Sequence, residues 1–193
     1  MKWIGLAVML SMAPFVRATV DNNNPIANSK AVVICGNARF TVLTPEMIRI
    51  EYSEKGMFED RPTFTVVNRN LELVDFKKKD RFLYIQTDKV KLKYRKGTNP
   101  KTSPASPENL TITIENHGCE TLWYPGKKDP LNLKGTCRTL DGSNGDNKRS
   151  ELENGLISRS GWAVIDDSWE ATRADGSHSF ALEPNPEVGY DWW

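Results

Sequence analysis

The amino-acid sequence predicts an all-β fold, and within that class an antiparallel β-sandwich. Several short segments alternate apolar with polar residues, which is the period of a half-buried strand. Residues rich in Gly, Pro, Ser and Asn separate these segments. No amphipathic helical pattern is longer than about two turns. Short strands divided by turn signals are typical of a sandwich rather than of an α/β fold.

The first residues of the 193-residue chain predict export. Lys2 supplies a positive charge, residues 3–12 are an apolar run, and Ala18 closes a stretch that a signal peptidase could cut. This order predicts a signal peptide over residues 1–18 and a secreted or periplasmic protein; a buried N-terminal helix is the alternative. The run is shorter than the roughly 20 apolar residues that a spanning helix needs, so no membrane span is expected. The polar residues that follow predict an exposed leader over residues 19–30.

Seven segments predict the strands of the sandwich domain, which we place over residues 31–189. They are residues 31–34, 39–43, 47–52, 63–67, 82–86, 90–94 and 110–114. Asp88 and Lys89 separate two of these segments, which are therefore expected to form a hairpin. The run of lysines at 77–79 is interpreted as a solvated turn. Exposed loops are predicted at residues 96–107, 140–147 and 183–186.

Composition excludes several classes of function. Lys and Arg number 26 against 25 Asp and Glu, and this balance does not favour a nucleic-acid partner. The two histidines form no cluster and no CxxC or HExxH motif occurs, so neither a metal nor another cofactor is expected. The three cysteines allow at most one disulfide, and Cys119 and Cys137 are candidates for that pair.

Residues that could carry chemistry concentrate between 132 and 169. Asp166 and Asp167 follow a strand-like segment at 162–165, and glycoside hydrolysis uses two carboxylates. Neighbouring residues of an extended chain point to opposite faces, so these two would not flank one glycosidic bond. An Asp–Asp–Ser turn is the alternative. The polar and aromatic residues that suit a sugar site are Asp141, Trp162, Asp166, Asp167 and Trp169, although Trp162 could equally belong to the core.

The same region carries a family resemblance. NLKGTCRTLDG at 132–142 and GLISRSGWAVIDDS at 155–168 resemble the segment before the barrel in bacterial family 31 glycoside hydrolases, which include α-glucosidases and α-xylosidases. ARFTVLTPEMIRIEY at 38–52 and FEDRPTF at 58–64 are similar to the start of the N-terminal sandwich of that family. The resemblance implies a galactose-mutarotase-like sandwich. Asp191, Trp192 and Trp193 resemble the aromatic motif that leads into the barrel, so residues 190–193 are expected to begin the missing barrel rather than to fold back onto the sandwich.

The resemblance also implies that the catalytic residues and the residues of this domain have separate roles. Both catalytic aspartates of the family lie on a (β/α)₈ barrel of about 250 residues, for which this chain has no counterpart, so no catalytic residue is inherited. Ser160 stands where relatives have Asp. The resemblance implies that Asp141, Trp162, Asp166 and Asp167 contribute to the rim of the substrate pocket.

The expected function is that of an N-terminal accessory domain of an exported α-glycosidase. Its partners would be the catalytic barrel of the parent enzyme and an α-linked oligosaccharide, and the side facing the barrel would carry exposed apolar residues. A free-standing carbohydrate-binding module is the main alternative. A small hydrolase that uses Asp166 or Asp167 directly is the third.

Overall fold

The computed structural model describes residues 24–63, 65–79, 82–99, 109–135, 152, 154–168 and 190–193. In these ranges the chain forms a 3₁₀ turn at Ser29–Ala31 and nine strands. The strands are β1 (Val32–Cys35), β2 (Ala38–Val42), β3 (Ile48–Tyr52), β4 (Lys77–Lys79), β5 (Leu83–Gln86), β6 (Val90–Tyr94), β7 (Leu110–Asn116), β8 (Cys119–Trp123) and β9 (Tyr190–Trp192). Antiparallel pairing arranges them in a four-stranded sheet, β1-β2-β3-β9, and a five-stranded sheet, β4-β5-β6-β7-β8. The predicted all-β class is confirmed.

One hydrophobic core lies between the two sheets and joins them into a sandwich. Phe40 of β2 contacts Tyr94 of β6 with 5.1 Å between ring centroids. Trp123 of β8 meets Trp192 of β9 edge to face at 6.4 Å. Each pair connects one sheet to the other, and aromatic pairs of this kind contribute about 0.5–1.5 kcal/mol beyond the area they bury. The predicted antiparallel sandwich is therefore also confirmed.

The predicted hairpin between β5 and β6 is present, and Thr87 organises its turn. The Thr87 hydroxyl oxygen accepts hydrogen bonds from the backbone N–H groups of Lys89 at 3.2 Å and Val90 at 2.9 Å. The same hydroxyl donates to the carbonyl oxygen of Pro45 at 2.6 Å, which ties the turn to the loop before β3. Lys91 on β6 is exposed, as the alternation of that segment predicts.

Two predicted assignments are wrong. The lysines at 77–79 form β4, which pairs with β5 as an edge strand. Strand pairing uses the backbone, and lysines are common on edge strands because their charge discourages further pairing. The described residues of 63–67 contain no strand. Instead Thr63 and Val66 form a turn, in which the Thr63 N–H donates to the Val66 carbonyl oxygen at 3.2 Å.

Two further strands, β8 and β9, were not predicted. β8 follows β7 through His117 and Gly118, whose φ angles of 49° and 80° match the two-residue turn that right-handed strand twist favours. β9 adds Tyr190–Trp192 to the edge of β3. Trp192 and Trp193 are buried, and Tyr190–Trp192 pair with β3, so these residues form part of the four-stranded sheet. The expectation that residues 190–193 begin a following barrel stays a prediction.

Several predictions concern residues outside the described ranges. They include the signal peptide at 1–18, most of the 96–107 loop, the loops at 140–147 and 183–186, and the residues Cys137, Asp141 and Trp169. These stay predictions. In the described part of the chain, no helix is long and apolar enough to cross a membrane.

Candidate functional site

The segment that carries Trp162, Asp166 and Asp167 runs antiparallel beside β9. Ile165 and Trp193 exchange backbone hydrogen bonds at 3.0 Å in both directions, and the Asp167 N–H donates to the Asp191 carbonyl oxygen at 2.8 Å. Asp166 forms an isolated bridge with Trp192. The strand-like character predicted for this segment is therefore expressed at the edge of the four-stranded sheet. Because the segment is extended, its neighbouring side chains face opposite sides.

Asp167 faces the interior and is only 3% exposed. Its Oδ2 accepts a hydrogen bond from the indole Nε1 of Trp193 at 2.7 Å, and its Oδ1 accepts one from the Thr65 hydroxyl at 2.9 Å. Both carboxylate oxygens are thus engaged by protein donors. Charge-assisted bonds of this type are stronger than neutral ones, so Asp167 fixes the terminal aromatic residue in place. A sugar could not reach this carboxylate without displacing those partners.

Asp166 faces solvent and forms the turn that was the alternative interpretation. Its Oδ1 accepts hydrogen bonds from the Ser168 backbone N–H at 3.2 Å and from the Ser168 hydroxyl. The Ser168 hydroxyl oxygen in turn accepts from the Asp191 N–H at 3.0 Å. This is an Asx turn, in which a carboxylate substitutes for a backbone acceptor. Asp166 stays exposed and can still meet a ligand.

Trp162 is half-buried and packs against the hydrophobic core. The Lys127 ammonium lies 5.9 Å from the centre of its ring. Trp162 lines a groove of about 230 Å³ whose other walls are mainly apolar and aromatic and include Trp123, Trp192, Trp193 and Leu156. Aromatic walls with a few polar groups at the edge are typical of small-molecule sites. The structure brings Trp162 and Trp193 together here and leaves Asp166 exposed nearby in the chain.

Asp129 holds together the two segments that carry the family resemblance. Ser158 and Ser160 donate hydroxyl hydrogen bonds to its Oδ1 at 3.0 and 2.6 Å, and the Asn132 amide donates to Oδ2 at 3.2 Å. Burial by itself would raise the pKa of Asp129, but the hydrogen bonds from Ser160, Ser158 and Asn132 outweigh it and lower that pKa. Ser160 thus serves as a hydrogen-bond donor to the Asp129 carboxylate. No local pattern in the sequence indicates the role of Asp129.

The same two segments present an exposed apolar surface. Residues 131–133 pair with 157–159: the Leu133 N–H donates to the Ile157 carbonyl oxygen at 3.0 Å, and Asn132 bridges Ser158. The side chains that this pairing leaves in solvent are Leu131, Leu133, Leu156 and Ile157, which are 53%, 55%, 69% and 68% exposed. We refer to these four as the apolar ridge. Because Leu156 also lines the aromatic groove, the ridge adjoins the groove.

A buried layer of charged residues, which we call the charge layer, covers the outer face of the four-stranded sheet, opposite the face that packs on the hydrophobic core. It consists of five residues that are at most 9% exposed: Arg39, Arg49, Glu51, Arg69 and Asp191. Arg39 is bidentate to Glu51, with Nε to Oε2 at 2.6 Å and Nη2 to Oε1 at 2.8 Å. Arg49 is bidentate to Asp191, with Nε to Oδ1 at 2.8 Å and Nη2 to Oδ2. Bidentate carboxylates offset much of the cost of burying a guanidinium.

The charge layer adjoins the candidate site through Trp193. The guanidinium carbons of Arg49 and Arg69 lie 4.8 and 5.3 Å from the centre of a Trp193 ring. Burial, reinforced by repulsion from Arg49, lowers the pKa of Arg69 to about 10. Burial raises the pKa of Asp191 to about 6, although Arg49 opposes the shift. Alternation had placed Arg49 and Glu51 on one face of β3, but the sequence did not indicate that this face is covered.

Metal ligands and cysteines add nothing to this site in the described residues. In those ranges no group of three or more His, Cys, Asp or Glu side chains could hold a metal ion. Cys35 is half-buried at the end of β1 and Cys119 is exposed at the start of β8. Because Cys137 lies outside the described ranges, the suggested pairing with Cys119 stays a prediction.

Comparison with known proteins leaves the chain without an assigned family: no family model matches it, and no curated protein matches it. The candidate site is therefore defined by its own chemistry. It combines an aromatic groove, an exposed carboxylate at Asp166, a buried structural carboxylate at Asp167, and the adjoining apolar ridge.

Proposed function

We propose that this chain is the N-terminal accessory domain of an exported α-glycosidase. In this proposal the sandwich supports the catalytic barrel and shapes the rim of its substrate pocket, without catalytic residues of its own. The resemblance of residues 132–142 and 155–168 to family 31 glycoside hydrolases is the first support. These two stretches are not adjacent in sequence, yet Asn132 and Ser158 pair and Asp129 binds both stretches. This pairing makes the two stretches a single structural unit.

The apolar ridge is the observation that carries the proposal. Four Leu and Ile side chains are each more than half exposed on one pair of loops. Burial of apolar surface contributes about 25 cal/mol per Å², so this ridge gains free energy when another surface covers it. Contiguous exposed apolar residues with polar neighbours are typical of interaction sites. The barrel is the proposed occupant because the ridge is formed by the segments that precede the barrel in the family.

The rim of the pocket is proposed to include Trp162 and Asp166. Trp162 offers an aromatic ring of the kind on which sugars stack, and the exposed carboxylate of Asp166 can accept hydrogen bonds from sugar hydroxyl groups. Asp167 is proposed to contribute indirectly, because it accepts a hydrogen bond from the indole of Trp193, which lines the groove. Asp141 stays a predicted member of the same rim.

A hydrolase built on Asp166 and Asp167 is disfavoured by their surroundings. Glycoside hydrolysis needs two carboxyl groups that flank one bond. Asp167 is buried with both oxygens hydrogen-bonded, whereas Asp166 is in solvent on the other side of the segment. The two groups therefore face different environments. This arrangement favours a structural or binding role for both.

Fusion to a barrel tests the proposal. We expect the purified chain to leave aryl α-glucosides and α-xylosides intact, and a fusion to a family 31 barrel to hydrolyse at least one of them. The double variant Leu156→Ser/Ile157→Ser should reduce kcat/KM of the fusion about tenfold or more, because it removes apolar contact and buries hydroxyl groups without partners at the docked interface. Leu122→Ser is the matched control, since Leu122 is also exposed but lies on β8 in the other sheet. Equal activity of the ridge variant and the control would contradict the proposed docking.

A free-standing carbohydrate-binding module is the second candidate, and it is favoured by the half-buried Trp162, which has the Lys127 ammonium 5.9 Å from its ring centre. This function predicts that the isolated chain binds an α-linked oligosaccharide with micromolar to millimolar affinity and that Trp162→Ala abolishes binding. Titration calorimetry with a maltooligosaccharide distinguishes the candidates. The accessory-domain proposal expects no heat of binding until the barrel is joined.

A further inference from the structure

The outer edges of the two sheets are protected unequally. The sheets end at β1 and β9 and at β4 and β8. Backbone hydrogen bonds from residues 165–167 cover β9, and β4 consists of three lysines. β8 carries Glu120, which is exposed and ion-paired with Lys91 at 2.8 Å. Charged residues on an edge discourage pairing with another chain. β1 has the sequence VVIC, so among the described edges it alone is neither charged nor covered.

The register of β1 shows which of its backbone groups point outward. A two-residue turn at 36–37 connects β1 to β2, and Cys35 pairs with Ala38 beside this turn. The pair next to such a turn exchanges both backbone hydrogen bonds, and along an antiparallel ladder hydrogen-bonded pairs alternate with pairs that are not. The N–H and C=O groups of Val32 and Ile34 therefore point away from β2.

Most of these outward groups are open. The Val32 N–H donates to the Ser29 carbonyl oxygen, which closes the 3₁₀ turn before β1. The Val32 carbonyl oxygen and both backbone groups of Ile34 have no hydrogen-bond partner among the described residues. The Ile34 residue is 61% exposed, so the edge is accessible at this point. Three backbone groups can thus pair with a further strand, with Ile34 at its centre.

The stacking of the two sheets leaves a position for that strand. The contact of Phe40 with Tyr94 sets β2 against β6, and the contact of Trp123 with Trp192 sets β8 against β9. The strand order then sets β3 against β7 and β1 against β5. β4, which follows β5, has no strand of the described chain opposite it. An additional strand on β1 would occupy this position and extend the four-stranded sheet over β4.

A strand at this position would have two chemically different sides. On the outer face it adjoins Ile34 and Ile26, which are 61% and 63% exposed and line one cavity of about 470 Å³. On the inner face it adjoins β4, whose residues 77–79 are all lysine. Lys30, exposed just before β1, adds a further positive charge near this edge. Because side chains alternate between the faces of a strand, the edge suits a segment in which apolar and acidic residues alternate.

We propose that β1 binds an extended segment of a partner protein by antiparallel strand addition, and that this segment alternates apolar with acidic residues. Main-chain hydrogen bonds to Ile34 and to the Val32 carbonyl oxygen supply affinity, and the two chemically different sides supply specificity. A second copy of the chain fits less well, because pairing of two β1 strands would bring two lysine-rich β4 edges together. The interface uses neither the aromatic groove nor the apolar ridge, so it is independent of the proposed accessory function.

Peptide binding to the purified full chain tests the proposal. The probe is a fluorescein-labelled peptide of sequence EVEVEVE, and the matched control is KVKVKVK, which has the same length and the same capacity for strand pairing. Fluorescence anisotropy at low salt should give a Kd for EVEVEVE that is lower than that for KVKVKVK by about tenfold or more. The difference should shrink as salt is added, since salt screens exposed charges.

Two variants at one position locate the binding. Ile34→Pro removes the outward N–H, and proline is tolerated on an edge strand where that N–H faces solvent. We expect it to abolish detectable binding of EVEVEVE. Ile34→Thr is the matched control, because it keeps the backbone N–H and the branched side chain that favours strands. Its Kd should rise by less than about tenfold, since only apolar contact is lost.

Hydrogen exchange of the Ile34 amide gives a second measurement on the wild-type chain, in case Ile34→Pro does not fold. This amide should exchange fast in the free chain and slowly with EVEVEVE bound. The proposal is overturned if EVEVEVE does not bind, if KVKVKVK binds as tightly, or if Ile34→Pro keeps the wild-type affinity. It is also overturned if the amide is protected without peptide. Protection that rises with chain concentration would then identify a second copy on the edge, and protection independent of concentration would identify a segment of the same chain.

Discussion

Asp167→Ala should destabilise the fold far more than Asp166→Ala, although the two residues are neighbours of the same type. Asp167 accepts hydrogen bonds from the buried Trp193 indole at 2.7 Å and from the Thr65 hydroxyl at 2.9 Å. A hydrogen bond to a charged group contributes about 1.5–3 kcal/mol, and a buried donor left without an acceptor is costly. Since Trp193 is buried and Thr65 is exposed, most of the loss comes from the indole. We expect the free energy of unfolding to fall by about 3 kcal/mol.

Urea unfolding followed by tryptophan fluorescence measures this difference. Asp166→Ala removes an exposed Asx turn and should cost only about 0.5–1 kcal/mol. Asp167→Asn is the matched control, because its amide oxygen can still accept from the indole and should recover most of the loss. In a double-mutant cycle with Trp193→Phe, which lacks the N–H, the coupling energy should be about 1.5 kcal/mol. Equal losses for the two alanine variants, or coupling near zero, would refute the structural role of Asp167.

Three further predictions follow from other parts of the fold. The pKa of Asp129 is lowered, so its charged form stabilises the protein above the ordinary carboxyl pKa, and this contribution is lost as the pH falls through the lowered pKa. Asp129→Asn should therefore be less stable than the wild type at pH 7 and should lose less stability as the pH is lowered. Parallel curves of unfolding free energy against pH for variant and wild type would argue against this. Phe40→Ala should cost about 3–5 kcal/mol in urea unfolding, because Phe40 has no exposed surface and spans the two sheets; a loss below about 1 kcal/mol would place the core elsewhere. Gly155→Ala should destabilise more than Gly36→Ala, because a Cβ at Gly155 would lie 2.5 Å from the backbone carbonyl oxygen of Lys134, whereas a Cβ at Gly36 meets open space and costs only the strain of a positive φ. Calorimetric Tm values of the two variants decide this, and equal shifts would count against it.

Local pattern was sufficient for most strands but not for all. β2, β3, β5, β6 and β7 lie where alternation predicts them, because one face of each packs into the core. β4 was interpreted as a turn because its three lysines show no alternation of apolar and polar residues. Strand pairing needs only backbone groups, and β5 supplies the partner strand. β8 has weak alternation, with mainly exposed residues, although the His117–Gly118 turn was a usable signal.

The sequence determined the class of fold and the opposite directions of Asp166 and Asp167, since both depend on the two-residue period of an extended chain. It could not show that Asp167 meets Trp193 or that the terminal aromatics join β3, because those contacts connect residues distant in the chain. The covered charge layer was likewise beyond local pattern. Alternation put Arg49 and Glu51 on one face of β3. Only tertiary packing placed Arg69 against that face and left its Nε and Nη2 atoms without a hydrogen-bond acceptor among the described residues. The two-residue alternation of a strand predicts which face a side chain is on, whereas its burial depends on which other parts of the chain pack over that face.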